Sequence, residues 1–313
     1  MSDSPLTLDN QPIFKVLIDG AACRFDVRIN DVPILQNETG LPYDVAFPVS
    51  EWMIAGANRL SARIRPPAVY SDEYDELFDQ EGYDEEESWL KLALIVKKNK
   101  EDPKAQQEIA TLEWVAGDFS PPRMGYDSSS DPGIRNSERG FSPDDDGDVT
   151  VSKCEVSFDA ERKEIVLSRV ITMPNPHPPW LWLSGEEIPD DDGTLAALTA
   201  QYQRVSGLLS AGSVAEVSAL LVPKSEEYAA AYYLETEEEI EEAMALTLLM
   251  QADDLELASF GADVELQVFG DGRLARLVDE DNESPIVYVD PNDVAYYMSL
   301  TYSKIGGRWL LTR

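Results

Sequence analysis

FKVLIDGAACRFDVRINDVPIL, residues 14–35, decides how the first half of the chain is read. It contains three short β-rich runs, FKVLID (14–19), CRFDVRI (23–29) and VPIL (32–35). Between them lie Asp19-Gly20 and Asn30-Asp31, dipeptides that favour tight reversals. LPYDVAFPV (41–49) then leads into SEWMIAGANRLSARIRP. In that segment Ser50 is expected to cap a short helical turn, Gly56 and Asn58 to turn the chain, and LSARI (60–64) to alternate as a half-buried strand.

WLKLALIVKK (89–98) reads as a strand, and QEIATLEWVA (107–116) as a strand or a short helix. No long helix separates the early strands, so these pieces predict an antiparallel β-sandwich. VTVSKCEVSFDAERKEIVLSRVITM (149–173) reads as a hairpin turning near Asp159–Lys163 that joins the same sandwich. Residues 118–148, rich in Pro, Gly, Ser and Asp, are then a long mobile insertion rather than a domain boundary. The first domain is placed at 1–173, with an acidic loop at 70–88. PNPHPPWLWLSGEEIPDDDG (174–193) is a Pro-rich linker whose five prolines break regular structure.

From Thr194 to Arg313 the pattern is that of an α+β domain, with helices followed by a curved antiparallel sheet. Leu195, Leu198, Tyr202, Val205 and Leu209 recur at helical spacing. VAEVSALLV (214–222) reads as a short helix or a strand, and SEEYAAAYYLE (225–235) as helix. TEEEIEEAMALTLLMQADD (236–254) carries Thr236 and Glu239 as a capping box. Strands are predicted at 255–261, 264–270, 273–279, 285–289, 295–302 and 308–313, with turns at Gly270–Asp271–Gly272 and Gly306–Gly307. In YYMSLTY, Tyr297, Ser299 and Thr301 share one side, and Tyr296, Met298, Leu300 and Tyr302 the other. Core packing explains that pattern as readily as a pocket does.

Charge restricts the partners. The chain has 313 residues, and its 43% hydrophobic and 9% aromatic content supplies material for real cores. Sixty acids against 25 bases give a formal charge of -35. Such a charge repels nucleic acid and anionic membrane surfaces and attracts a cationic partner, most strongly at low salt. Halophilic adaptation and untargeted surface acidity account for the same composition without a partner. The N-terminus MSDSPLTLDNQP has no apolar run, and no segment has the length and apolarity to cross a bilayer, so a cytoplasmic location is expected. Cys23 and Cys154 read as two buried free thiols.

Catalytic chemistry is hard to assemble. His177 is the single histidine and lies among prolines, which leaves no Ser-His-Asp triad and no multi-histidine metal site. His177 itself reads as a turn or interface residue. GxSxG, phosphate-loop and dinucleotide fingerprints are absent from the sequence. Asp144, Asp146, Asp148 and Glu155 fall at loop positions 1, 3, 5 and 12, but Val149 stands where a calcium loop needs Gly. No catalytic residue, cofactor or metal is therefore assigned. A carboxylate pair for glycoside hydrolysis, or a carbohydrate-binding surface, is the alternative; an adaptor or chaperone for a secreted cationic protein is another.

YSDEYDELFDQEGYDEEESW (70–89) is the sequence candidate for a binding face: ten of its twenty residues are acidic and none is Lys or Arg. Asp72, Glu73, Asp75, Glu76, Asp79, Glu81, Asp84, Glu85, Glu86 and Glu87 are expected to steer a basic partner and pair with its cations. Tyr74, Phe78 and Tyr83 would add apolar contact. Trp180 and Trp182 read as a structural plug or, alternatively, as partner-binding anchors. Glu237, Glu238, Glu239, Glu241 and Glu242 form a second acidic cluster, for which a solvated helix face is the default.

The order strand, turn, IND, strand, helical turn, GANRLSARI over residues 12–66 resembles the β-sandwich modules of the galactose-binding-like group. In those modules an LxxGxNxLxVxV segment feeds a core strand. That resemblance implies a sandwich and transfers no sugar-binding residue. In character (cytosolic, strongly acidic, bare of catalytic motifs) the chain resembles the bacterial cytosolic immunity proteins that act against interbacterial toxins. The resemblance implies inhibition of a toxin such as a nuclease, whose cleft is cationic because it holds phosphates. It aligns no segment and transfers no residue.

Overall fold

Alternating burial builds the strands of the first half. The computed structural model describes residues 11–65, 88–100, 106–115, 149–159, 162–174, 177–244, 255–261 and 263–313. By contacts the chain divides into two units, Met1–Pro178 and Pro179–Arg313, and the division falls inside the predicted linker.

The first unit contains β1 (Pro12–Ala21), β2 (Arg24–Ile29), β3 (Val32–Asn37), β4 (Tyr43–Pro48) and β5 (Gly56–Arg65). It continues through β6 (Trp89–Lys98), β7 (Gln107–Val115), β8 (Thr150–Val151), β9 (Glu155–Asp159) and β10 (Glu164–Met173). Two antiparallel sheets result, ordered β4-β1-β6-β7 and β3-β2-β5-β10-β8, with β9 also on β10. Phe14, Val16 and Ile18 of β1, Phe25, Val27 and Ile29 of β2, and Leu60, Ala62 and Ile64 of β5 enter one core. Leu90, Leu92, Leu94 and Val96 of β6 join it, so both sheets contribute to the same apolar cluster. Each fully buried Val, Leu, Ile or Phe contributes about 1.5–3 kcal/mol. Gln107–Val115 is a strand because it pairs along β6, with Leu112 opposite Leu92.

The predicted turns divide. Asn30 and Asp31 both have positive φ, 51° and 64°, as a primed hairpin turn between β2 and β3 requires. Asp19 and Gly20 instead lie inside β1, and the chain reverses after it, at Ala22 (φ 53°). Glycine at position 20 serves close packing: a Cβ there would stand 2.9 Å from Leu90 Cδ1. Ser50 opens the Ser50–Trp52 3-10 turn, but Val49 occupies the cap position and no side chain caps it. The Ser50 hydroxyl accepts the Phe14 N–H at 2.9 Å instead, tying the turn to β1.

Asn58 is the polar hub of this unit and is fully buried. Its Oδ1 accepts the Ile54 N–H at 2.8 Å and the Asn30 Nδ2–H at 2.9 Å, while its Nδ2 donates to the Ile54 carbonyl at 2.8 Å. Gly56 reaches φ +83° to open this loop. The hairpin from β9 to β10 turns where predicted, with the Asp159 carboxylate accepting the Arg162 N–H at 3.0 Å.

The second unit begins with a 3-10 turn at Leu181–Ser184, then α1 (Asp192–Ser210), α2 (Val214–Tyr232) and α3 (Glu237–Met244). Asp191 caps α1 by accepting the Thr194 N–H at 2.8 Å, and Leu198, Tyr202 and Val205 are buried as the spacing predicts. The two segments 214–222 and 225–235 fuse into α2, with Pro223 inside it. Pro223 removes one donor, yet Val217, Leu221 and Ala231 are buried on either side of it, so packing carries the helix through. The Thr236–Glu239 capping box is present: Glu239 N–H donates to Thr236 Oγ1 at 3.1 Å, and Thr236 N–H to Glu239 Oε2 at 3.2 Å. Residues 245–254 of the predicted helix lie outside the described residues.

Strands follow as β11 (Glu256–Leu257), β12 (Glu265–Phe269), β13 (Leu274–Val278), β14 (Val287–Val289), β15 (Ala295–Tyr297), β16 (Tyr302–Ile305) and β17 (Arg308–Leu311). In place of one curved sheet there are two antiparallel sheets, β11-β14-β15 and β12-β13-β16-β17. The predicted 295–302 strand splits between them, because Met298 and Leu300 are drawn into the core with Leu198, Tyr202, Leu277 and Ile286. Tyr202 locks this core through its hydroxyl, which donates to the Leu300 carbonyl at 2.5 Å and accepts the Leu277 N–H at 3.2 Å. Gly306 and Gly307, at φ 57° and 74°, close the β16–β17 hairpin. The described chain is thus β-rich and antiparallel with three α-helices. Among the described residues no helix is long and apolar enough to cross a membrane.

Candidate functional site

The acidic, ring-bearing segment from Asp72 to Glu87 lies outside the described residues, as do Asp144, Asp146 and Asp148. Its C-terminal anchor is described: Ser88 Oγ donates to the Ala22 carbonyl at 2.7 Å, and Trp89 begins β6.

Trp180 and Trp182 are each 2% exposed, so neither presents its ring to solvent. The Arg313 guanidinium lies 5.3 Å from the centroid of Trp180. Arg313 also donates to Glu227, and Glu227 in turn accepts the Leu181 N–H. Trp180, Arg313 and Glu227 thus form a buried polar-aromatic cluster within the second unit. His177 is also buried, edge-on to Phe14 at 6.0 Å, and burial pushes its pKa down to about 4. On α3, Glu237, Glu238 and Glu241 are exposed and Glu239 serves the capping box. Glu242 has no described side chain.

Nucleophilic chemistry finds no support in the thiols. Burial pushes Cys23 up to about 12, and it raises Cys154 against the opposing influence of Arg169. Among the described residues no group of three His, Cys, Asp or Glu side chains is placed to hold a metal ion.

The described surface does hold an acidic, aromatic feature that the sequence reading passed over. Two loops flank β14, Asp279–Glu283 and Asp290–Val294, and their hydrogen-bond patterns coincide. In each, the first Asp carboxylate accepts the backbone N–H groups two and four residues on. Asp279 Oδ1 takes Asp281 at 3.0 Å and Glu283 at 2.9 Å; Asp290 Oδ1 takes Asn292 at 2.8 Å and Val294 at 2.9 Å. In each, the first N–H donates to the fifth carbonyl, and the fourth N–H to the first carbonyl. The fourth residue, Asn282 or Asp293, sits at φ 63°, a conformation that Asn and Asp tolerate. The signal lies in DEDNE and DPNDV, which share Asp at the first position and Asn or Asp at the fourth.

The first loop gathers charge. Glu283 is raised by burial and by the Asp279 and Asp281 carboxylates, against the pull of Arg276. Tyr297 on β15 is raised by burial and then by Glu283, Asp279 and Asp281. The loop adjoins the end of β15, where Ser284 Oγ donates to the Met298 carbonyl at 2.6 Å. The Val294 N–H, together with the other loop donors, holds the Asp290 carboxyl below the usual range. Val294, Tyr296 and Tyr297 are 49%, 41% and 42% exposed. Acid and exposed aromatic surface therefore adjoin at one end of the β11-β14-β15 sheet.

No protein-family model, curated protein or solved structure matches the chain. Its functional reading rests on composition and on this surface chemistry.

Proposed function

We propose that this is a non-catalytic acidic protein that binds and neutralises a basic partner protein. In this reading it is a cytoplasmic immunity protein directed against a cognate toxin such as a nuclease effector. Its two units act as a β-sandwich domain and an α+β domain, a description supported by the core shared between the first two sheets. One observation carries the reading. A formal charge of -35 means that one-to-one pairing with every Lys and Arg would still leave 35 acids without a cation of their own chain. The compact state bears that repulsion, and a cationic surface relieves it. Solubility needs a net charge of magnitude about 2–8 for a small domain, far less than this chain carries. Carboxylates next to exposed tyrosines supply what a partner rich in Lys and Arg recognises, charge around apolar contact.

The test is capture of partners by the full chain at low and moderate salt, followed by mass identification. A stable complex with a basic protein, whose association rate falls steeply as salt rises, supports the reading. A complex whose association ignores salt, or capture of anionic partners only, sinks it.

A further inference from the structure

We infer that the outer edge of β15 is a strand-addition site that takes an extended, lysine- or arginine-bearing segment of a partner protein. This rests on the proposed binding of a basic partner and assigns that binding a place and a mode.

β15 is the terminal strand of its sheet, paired on one side with β14. The pairing register shows which backbone groups face outward. Met298 N–H donates to the Ile286 carbonyl, and Asp290 N–H to the Val294 carbonyl. Hydrogen-bonded pairs alternate along an antiparallel ladder, so Tyr296 turns its N–H and C=O toward Tyr288. Ala295 and Tyr297 then turn theirs outward. Among the described residues nothing pairs with that outer edge.

The edge strand itself carries none of the usual protective residues. Ala295, Tyr296 and Tyr297 are all exposed, and none is a proline or a charged residue. A strand laid along it meets exposed apolar surface from Val294, Tyr296 and Tyr297. It also meets the acidic Asp279–Glu283 loop at the Tyr297 end, where Ser284, next after Glu283, donates to the carbonyl of Met298, next after Tyr297. Backbone pairing of this kind supplies affinity, and side chains at alternate positions supply specificity. The complementary segment is extended, with cations at alternate positions directed at the acidic loop and apolar residues between them. A second copy of this chain is the wrong occupant, since edge-to-edge pairing would set two acidic loops together between molecules of formal charge -35.

The site is held ready. Ser284 Oγ donates to the Met298 carbonyl at 2.6 Å, fixing the strand's exit, and the Asp290-anchored loop fixes its entry. Little ordering of this edge is therefore needed on binding.

The probe is a synthetic ten-residue peptide alternating lysine with valine. It is added to the full chain at low salt, with affinity and amide hydrogen exchange as readouts. The expected result is binding with new protection at Ala295 and Tyr297. Affinity falls at least tenfold for Tyr297→Pro, which deletes an outward N–H, and for a peptide with proline at its centre. The double variant Asp281→Lys/Glu283→Lys weakens binding comparably, and Glu237→Lys/Glu241→Lys on α3 much less. If Tyr297→Pro does not fold, Tyr297→Lys, which sets a cation on the edge, is read in its place. Binding of the peptide that is indifferent to these edge variants overturns the strand-addition site and leaves the basic-partner reading standing. Failure of both the peptide and a basic protein such as a histone to bind at low salt overturns both. Dimers of the unliganded chain protected at Ala295–Tyr297 also overturn it, by assigning the edge to a second copy.

Discussion

The Arg313 guanidinium donates to the Glu227 carboxylate while it covers the Trp180 ring, bringing together residues that the sequence places in a strand, a helix and a linker. Both side chains are buried, at 5% and 10% exposure, so neither charge is compensated by water. Glu227→Ala or Arg313→Ala alone is expected to destabilise the second unit by about 3–5 kcal/mol. Glu227→Met combined with Arg313→Leu should cost less than either single change, because no charge is then stranded. Urea unfolding of the three variants measures this.

Asn58 predicts a second large effect from a small change. Asn58→Ala removes the buried partner of the Ile54 N–H, the Ile54 carbonyl and one N–H of the Asn30 amide. The expected cost is about 3 kcal/mol, within the range for stranded buried polar groups. Equilibrium denaturation of the variant, followed through β-sheet circular dichroism, measures it.

His177 links stability to pH. Its pKa falls from 6.5 to about 4 on burial, so the unfolded chain binds this proton more readily than the folded one. The stability it contributes is complete above about pH 6.5 and is lost as pH falls through 6.5 toward 4. Between pH 7.5 and 4.5 the wild type should lose about 2–3 kcal/mol relative to His177→Phe. The paired comparison removes the titration of the many carboxylates, which both proteins share. Equal pH dependence in the two would show that His177 does not carry this linkage.

Cys23 should be chemically silent in the folded protein. Its thiol is fully buried and pushed up to about 12, so almost no thiolate exists at pH 8. Labelling by a disulfide reagent at pH 8 is expected to be slow in buffer and fast in urea. Rapid native labelling of Cys23, located by peptide mapping, would contradict the burial.

β1, β2, β3, β5, β6, the β9–β10 hairpin, α1, the α3 capping box and the Gly306–Gly307 hairpin are legible in the sequence, because each depends on interactions within a few residues, whereas 107–115 reads as strand or helix until it pairs with β6. Period-two burial marks the strands, helical spacing marks Leu198, Tyr202 and Val205, and positive φ at Asn30 and Asp31 follows from the residues that tolerate it. Partner choice between distant segments is not local. Whether Gly20 turns the chain or admits Leu90, and whether Ser50 caps a helix or receives the Phe14 amide, is decided by a strand far away in sequence. Pro223 reads as a break until packing on both sides of it holds α2 together. The same holds for the candidate surface. Acidity is a sum over residues and is visible at once. That the Asp279 loop stands beside Tyr297, on an edge that pairs with no described residue, depends on β14 and β15 meeting in one register, which only the folded chain decides.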